Sequence, residues 1–92
     1  VLDLGSGNGR LLAMVLDRLP EATGVAVDFS PEMLRHLRAR FDNDRRVEVV
    51  PHDLSARLPD LGRFDAVVSS FAIHHVDDGR KVTLYREVAG LL

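Results

Sequence analysis

Three carboxylates and a run of alternating glycines are the groups in this 92-residue sequence best placed to do chemistry. Asp3-Leu4-Gly5-Ser6-Gly7-Asn8-Gly9 puts a glycine at every second position directly after an apolar run. Glycine tolerates positive φ and carries no Cβ, so such a loop can turn tightly and let a ligand approach the backbone. The spacing discriminates between ligands. A dinucleotide fingerprint asks for G-x-G-x-x-G. Gly5 and Gly7 fit it, but its third glycine would fall on Arg10. The lysine-bearing phosphate-loop pattern is absent too. The loop therefore suits a phosphate-free nucleoside better than a pyrophosphate; for a glycine turn taken alone, a ligand-free strand–helix connection is the alternative.

Asp28 closes a second apolar run, and Asp53 follows a third in Pro51-His52-Asp53-Leu54. A carboxylate at Asp28 can accept from both hydroxyls of a ribose, as in nucleotide folds with an acidic residue after the second strand. A capping or solvated role is the alternative for Asp28, and a turn role for Asp53. His74 and His75 titrate near neutrality and can remove a proton from a hydroxyl or an activated carbon acid. A helix-start or pocket-lining role is the alternative for both. No carboxylate at matching spacing accompanies the pair and the sequence has no cysteine, so no metal site is expected. His52 reads as a solvated loop residue.

These positions need a scaffold that gathers the ends of separate strands. Residues 1–4 read as a strand ended by the glycine turn. Residues 10–19 carry Leu11, Leu12, Val15, Leu16 and Leu19 at helical spacing, and Pro20 closes the helix. Residues 24–27 read as a buried strand. Ser30-Pro31 opens a second helix, with Ser30 as cap and proline at the first helical position; it buries Met33, Leu34, Leu37 and Phe41. Residues 47–50 and 66–69 read as third and fourth strands. Asp77 or Asp78 caps a last helix with Val82, Tyr85, Val88 and Leu92 on one face. Residues 51–64 hold proline and glycine and only a weak helical pattern. Alternation of strands and helices specifies a parallel sheet with helices on its faces.

Composition excludes several classes. Twelve basic residues against fourteen acidic give a net charge of −2, without the basic excess of a nucleic-acid binder. The arginines at 35, 38, 40, 45 and 46 read as a solvated helix face. No apolar run approaches the roughly 18 residues of a membrane span, and no membrane partner is expected. Absence of cysteine is compatible with a cytoplasmic setting. The chain opens inside a strand-like run without an initiator methionine and stops inside a helical pattern. Residues 1–92 are thus expected to be one domain core, truncated at both ends.

Along essentially its whole length the chain resembles class I S-adenosylmethionine-dependent methyltransferases of the small-molecule type. The resemblance is carried by Asp3-x-Gly5-x-Gly7-x-Gly9, by Asp28-Phe29-Ser30-Pro31-Glu32-Met33-Leu34, by Asp53-Leu54, and by Phe64-Asp65-Ala66-Val67-Val68-Ser69-Ser70-Phe71-Ala72-Ile73-His74-His75-Val76. It implies an α/β fold: a partial Rossmann-like, doubly wound parallel sheet of strand order 3-2-1-4. It implies S-adenosylmethionine as cofactor. Gly5 and Gly7 would line it, Asp3 would orient its amino group, often through water, and Asp28 would hold the ribose. Phe29 and Met33 would contact the adenine, although Met33 is equally a core residue by spacing. Asp53 would accept from the adenine amine, which a ketone-bearing base lacks, and Leu54 would offer its backbone amide. Ser69 and Ser70 would sit beside the methionine end, with Phe71, Ala72 and Ile73 walling the reaction site.

The acceptor implied is a small molecule, methylated at oxygen, carbon or nitrogen. Relatives that methylate nucleic-acid bases carry an Asn-Pro-Pro-Tyr-like tetrad after the fourth strand; Ser69-Ser70-Phe71-Ala72 stands there instead, so no nucleic-acid partner is expected. Two other readings stay open. Arg10 and Asp53 count against a nicotinamide-dependent oxidoreductase, and intact glycines and carboxylates count against a non-catalytic, methyltransferase-like module.

Overall fold

The computed structural model describes residues 1–69 and 77–92. The described elements are β1 (Leu2–Leu4), α1 (Arg10–Arg18), β2 (Gly24–Asp28), α2 (Pro31–Arg40), β3 (Val47–Pro51), β4 (Val67–Val68) and α3 (Asp78–Leu91). All pairings are parallel, and the four strands lie in the expected order β3-β2-β1-β4. Strand order reverses at β1, which has β2 on one side and β4 on the other. Sheets of this kind bind ligands at that switch point, outside the carboxyl ends of the strands. Register sets Asp3 beside Ala26 and Val68, and Asp28 beside Pro51. The glycine loop, Asp28 and the loop carrying Asp53 therefore all leave the same edge.

Successive strand residues face opposite sides, and each side has its own cover. Under α1 and α2, Leu12, Leu16, Leu34, Leu37 and Phe41 pack on Ala26. On the other side Leu2, Leu4, Val27 and Leu54 pack with Val88 and Leu91 of α3 and with Leu58, Leu61 and Phe64. Full burial of such a side chain contributes about 1.5–3 kcal/mol. The second helix begins as expected: Ser30 Oγ accepts the Met33 amide at 3.4 Å, and Pro31 holds the first helical position. Asp77 caps α3, its Oδ1 accepting the Arg80 amide at 2.9 Å.

Several expectations are corrected. On α3 the buried residue is Leu84, flanked by Val88 and Leu91. Val82, Tyr85 and Leu92 are each more than half exposed. Both stripes share Val88, but the one through Leu84 also turns Arg80 and Glu87 toward residues 54–58. Those polar contacts decide the rotation of a helix whose apolar pattern allows two. Leu19 lies past the end of α1 and is 53% exposed, and Met33 is only partly buried. His52 is half-buried, with Nε2 3.3 Å from the Ala56 carbonyl. Two arginines are not merely solvated. Arg40 Nε donates to the Asn8 carbonyl at 2.7 Å. Arg46 grips Asp44 at 2.8 Å and reaches the Leu16 and Pro20 carbonyls at the end of α1.

Candidate functional site

The glycine loop is built by its backbone. Gly5, Gly7 and Gly9 all have positive φ, at 66°, 60° and 83°. The last two serve different ends. A Cβ on Gly9 would lie 2.7 Å from Phe41 and 2.9 Å from Leu37, so this glycine lets α1 start against α2. A Cβ on Gly7 would meet nothing within 4 Å. Gly7 borders a cleft of about 450 Å³ lined by Ser6, Gly7, Asn8, Arg10, Leu11, Met14 and Met33, within the ~300–1,000 Å³ typical of small-molecule sites.

Asp28 ties this loop to the next. Its Oδ2 accepts the Gly7 amide at 2.9 Å, and its Oδ1 accepts the Phe29 and Ser30 amides at 2.8 and 3.0 Å. A carboxylate oxygen has two lone pairs. Oδ1 is thus engaged twice, and Oδ2 keeps one lone pair. An incoming diol has that acceptor at once; capture of both hydroxyls requires one amide to yield.

Beneath the loop, Asp3 is fully buried. Ser6 Oγ donates to its Oδ2 at 2.7 Å, while Oδ1 has no partner among the described residues. Burial pushes the Asp3 carboxyl above the usual range, the Ser6 hydrogen bond opposes this, and the Asp28 charge adds to it. A buried unpaired carboxylate oxygen is costly and calls for a donor. Directly after the adjacent β4, Ser69 Oγ is also buried without a partner among the described residues. A carboxylate oxygen and a hydroxyl, both without partners among the described residues and both at the carboxyl side of neighbouring strands, could receive an ammonium-bearing ligand at the switch point.

The loop after β3 carries the remaining expected residues. Asp53 is exposed, and its Oδ1 accepts the Ser55 amide at 2.9 Å, so it makes the turn that was the alternative to a ligand role. Leu54 is buried in the second core. The loop is tied to β2 by the His52 amide, which donates to the Asp28 carbonyl at 3.0 Å. Phe29, beside Asp28, is 65% exposed.

The structure therefore brings Asp3, Gly5, Gly7, Asp28 and Ser69 to one edge, puts Met33 in the cleft wall with Gly7, and sets Asp53 and Leu54 on the neighbouring loop. His74 and His75, with Ser70, Phe71, Ala72 and Ile73, lie outside the described residues. Among the described residues, no cluster of three histidine or acidic side chains is arranged to hold a metal, and no helix is long and apolar enough to cross a membrane. Of the residues lining the cleft, sequence reasoning missed Ser6, Asn8, Arg10, Leu11 and Met14. Leu11 and Met14 lie one turn apart in α1 and close behind the glycine loop, and that adjacency is the signal that could have found them.

The sequence profile of the methyltransferase domain family matches residues 1–92. An uncharacterized methyltransferase of Mycobacterium tuberculosis is 40% identical over 92 residues, covering all of this chain and 44% of the relative. Demethylmenaquinone methyltransferase of Thermus thermophilus is 37% identical over 93 residues, covering 97% of this chain and 42% of the relative. Among solved structures, a glycopeptide N-methyltransferase complexed with S-adenosylmethionine superposes with a TM-score of 0.81 at 31% identity, covering 99% of this chain and 38% of the other. The chain spans less than half the length of these relatives.

Proposed function

This chain belongs to the methyltransferase domain family, and from that premise we propose that it binds S-adenosylmethionine at the glycine loop for methyl transfer to oxygen, carbon or nitrogen of a small molecule. The observation that carries the reading is the pairing of a buried, unpartnered Asp3 Oδ1 with an open approach to the Gly7 backbone. An ammonium group satisfies the first and a ribose chain fills the second. Asp28 then supplies an acceptor for the ribose, Met33 an apolar wall, Asp53 an acceptor for the adenine amine with Leu54 beside it, and Ser69 a second polar contact at the methionine end.

The bound sulfonium supplies an already activated methyl group, so the residues of the chain act chiefly by positioning, which contributes much of such a rate. A hydroxyl acceptor also needs its proton removed, and His74 and His75 are the candidate bases. The sequence Ser69-Ser70-Phe71-Ala72 that follows Val67-Val68, and relatives named for demethylmenaquinone and glycopeptide methylation, support a small-molecule acceptor. A chain without cysteine suits the cytoplasm.

The test is transfer of label from methyl-labelled S-adenosylmethionine to the acceptor, with release of unlabelled S-adenosylhomocysteine, by the full chain across a panel of phenols, amines and activated carbon acids. Turnover with at least one acceptor, lost in Asp28→Ala, is expected. Cofactor binding without turnover on any acceptor favours a non-catalytic module instead.

A further inference from the structure

Residues 52–66 contain no helix or strand, yet they carry the exposed Asp53 and seat Leu54 in the core. Two side chains of α3 hold them. Arg80 Nε donates to the Leu54 carbonyl at 2.8 Å, and Nη2 donates to the Ala56 carbonyl at 2.6 Å. Nη1 bridges to Glu87 Oε2 and donates to Thr83 Oγ1 at 3.2 Å. Glu87 Oε1 accepts the Leu58 amide at 2.7 Å. The two side chains are only 12% and 21% exposed. A guanidinium is a rigid planar fork, so it fixes two carbonyls relative to each other, which the point charge of a lysine does not. The two carbonyls flank Ser55, whose amide is held by Asp53 Oδ1. The fork therefore sets the turn from which the Asp53 carboxylate projects.

We infer that Arg80 and Glu87 are positioning residues that hold the loop after β3 so that Asp53 selects an amino-bearing base. The inference rests on the cofactor reading above. It adds that this selectivity is governed from α3, by residues that touch no ligand.

Two measurements on the full chain test it, with Asp53→Ala as reference. The first is calorimetric affinity for S-adenosylhomocysteine and for S-inosylhomocysteine, which carries a carbonyl in place of the amine. Wild type is expected to prefer the adenosyl compound by roughly tenfold or more, and Arg80→Met and Asp53→Ala to reduce the preference to about twofold. Arg80→Lys is expected to fall between. The second is amide exchange without ligand: protection of residues 54–58 is expected to fall in Arg80→Met while that of α1 is unchanged. If Arg80→Met fails to fold, Glu87→Gln serves for both. An intact preference in the variants, with both affinities lowered equally, overturns the positioning role. A wild type that binds neither compound overturns the cofactor reading and this role with it.

Discussion

The two sides of the sheet are built by different means. Beneath α1 and α2, short connections join regular helices to β1, β2 and β3, and apolar side chains fill the layer. Beneath α3, much of the cover is the irregular stretch 52–66, whose backbone is held by Arg80 and Glu87. The first side presents the glycine loop, the second the Asp53 loop. One half of the candidate site is thus fixed by backbone conformation and steric fit, the other by a few side-chain hydrogen bonds from a distant helix.

The largest expected effect separates the stripes of α3. Leu84→Ala empties a fully buried position and is expected to cost roughly 2–5 kcal/mol in chemical denaturation. Tyr85→Ala, on the exposed face, is expected to stay within about 0.5 kcal/mol. The reverse ranking would mean that α3 packs by the other stripe.

Next come the two glycines. Gly9→Ala combines a positive φ with a clash against Phe41 and Leu37 and is expected to cost roughly 2–4 kcal/mol. Gly7→Ala meets no neighbour and is expected to cost only about 1–2 kcal/mol of stability. Its cofactor affinity should nonetheless fall further, because the new Cβ occupies the approach. If Gly7→Ala binds S-adenosylhomocysteine as wild type does, the open side of Gly7 is not the ligand's approach.

These contrasts mark what the sequence could disclose. Order of elements, strand order, the Ser30 and Asp77 caps and the gathering of Asp3, Gly5, Gly7, Asp28 and Ser69 were legible, because local pattern and a spaced motif determine them. The rotation of α3 was not: Leu84 and Tyr85 are adjacent, and either stripe is apolar enough. Arg80 and Glu87 were invisible, since their partners lie 26 and 29 residues away and are backbone atoms that any sequence supplies. For Asp28 the capping alternative anticipated local bonds like those to the Phe29 and Ser30 amides, but not the tie to the Gly7 amide 21 residues away.

The smallest expected effects are in pH dependence, and their signs differ between the sides. Burial holds the folded Asp3 carboxyl above its ordinary value despite the Ser6 bond. The folded state then binds protons more tightly than the unfolded chain, so stability falls as pH rises from about 4 through the raised value. Asp3→Asn is expected to flatten that fall in a plot of Tm against pH. Glu87 is the reverse: burial raises its pKa, but bonds from Arg80 and the Leu58 amide outweigh burial and leave it below the ordinary value. Its contribution is present above an ordinary pKa of about 4.3 and is lost as pH falls through the lowered folded value. Glu87→Gln is expected to remove that acid-side loss; the same slope in wild type and variant would contradict the assignment.

The central claim is that the glycine loop, Asp3 and Asp28 form a site for a sulfur-bearing nucleoside rather than a dinucleotide. Calorimetric titration of the full chain with S-adenosylmethionine, S-adenosylhomocysteine and NADH tests it most directly. Saturable binding of the two sulfur compounds, weakened at least roughly tenfold by Asp28→Ala and without a heat signal for NADH, is the result expected. Binding of NADH, or of none of the three, would contradict the claim.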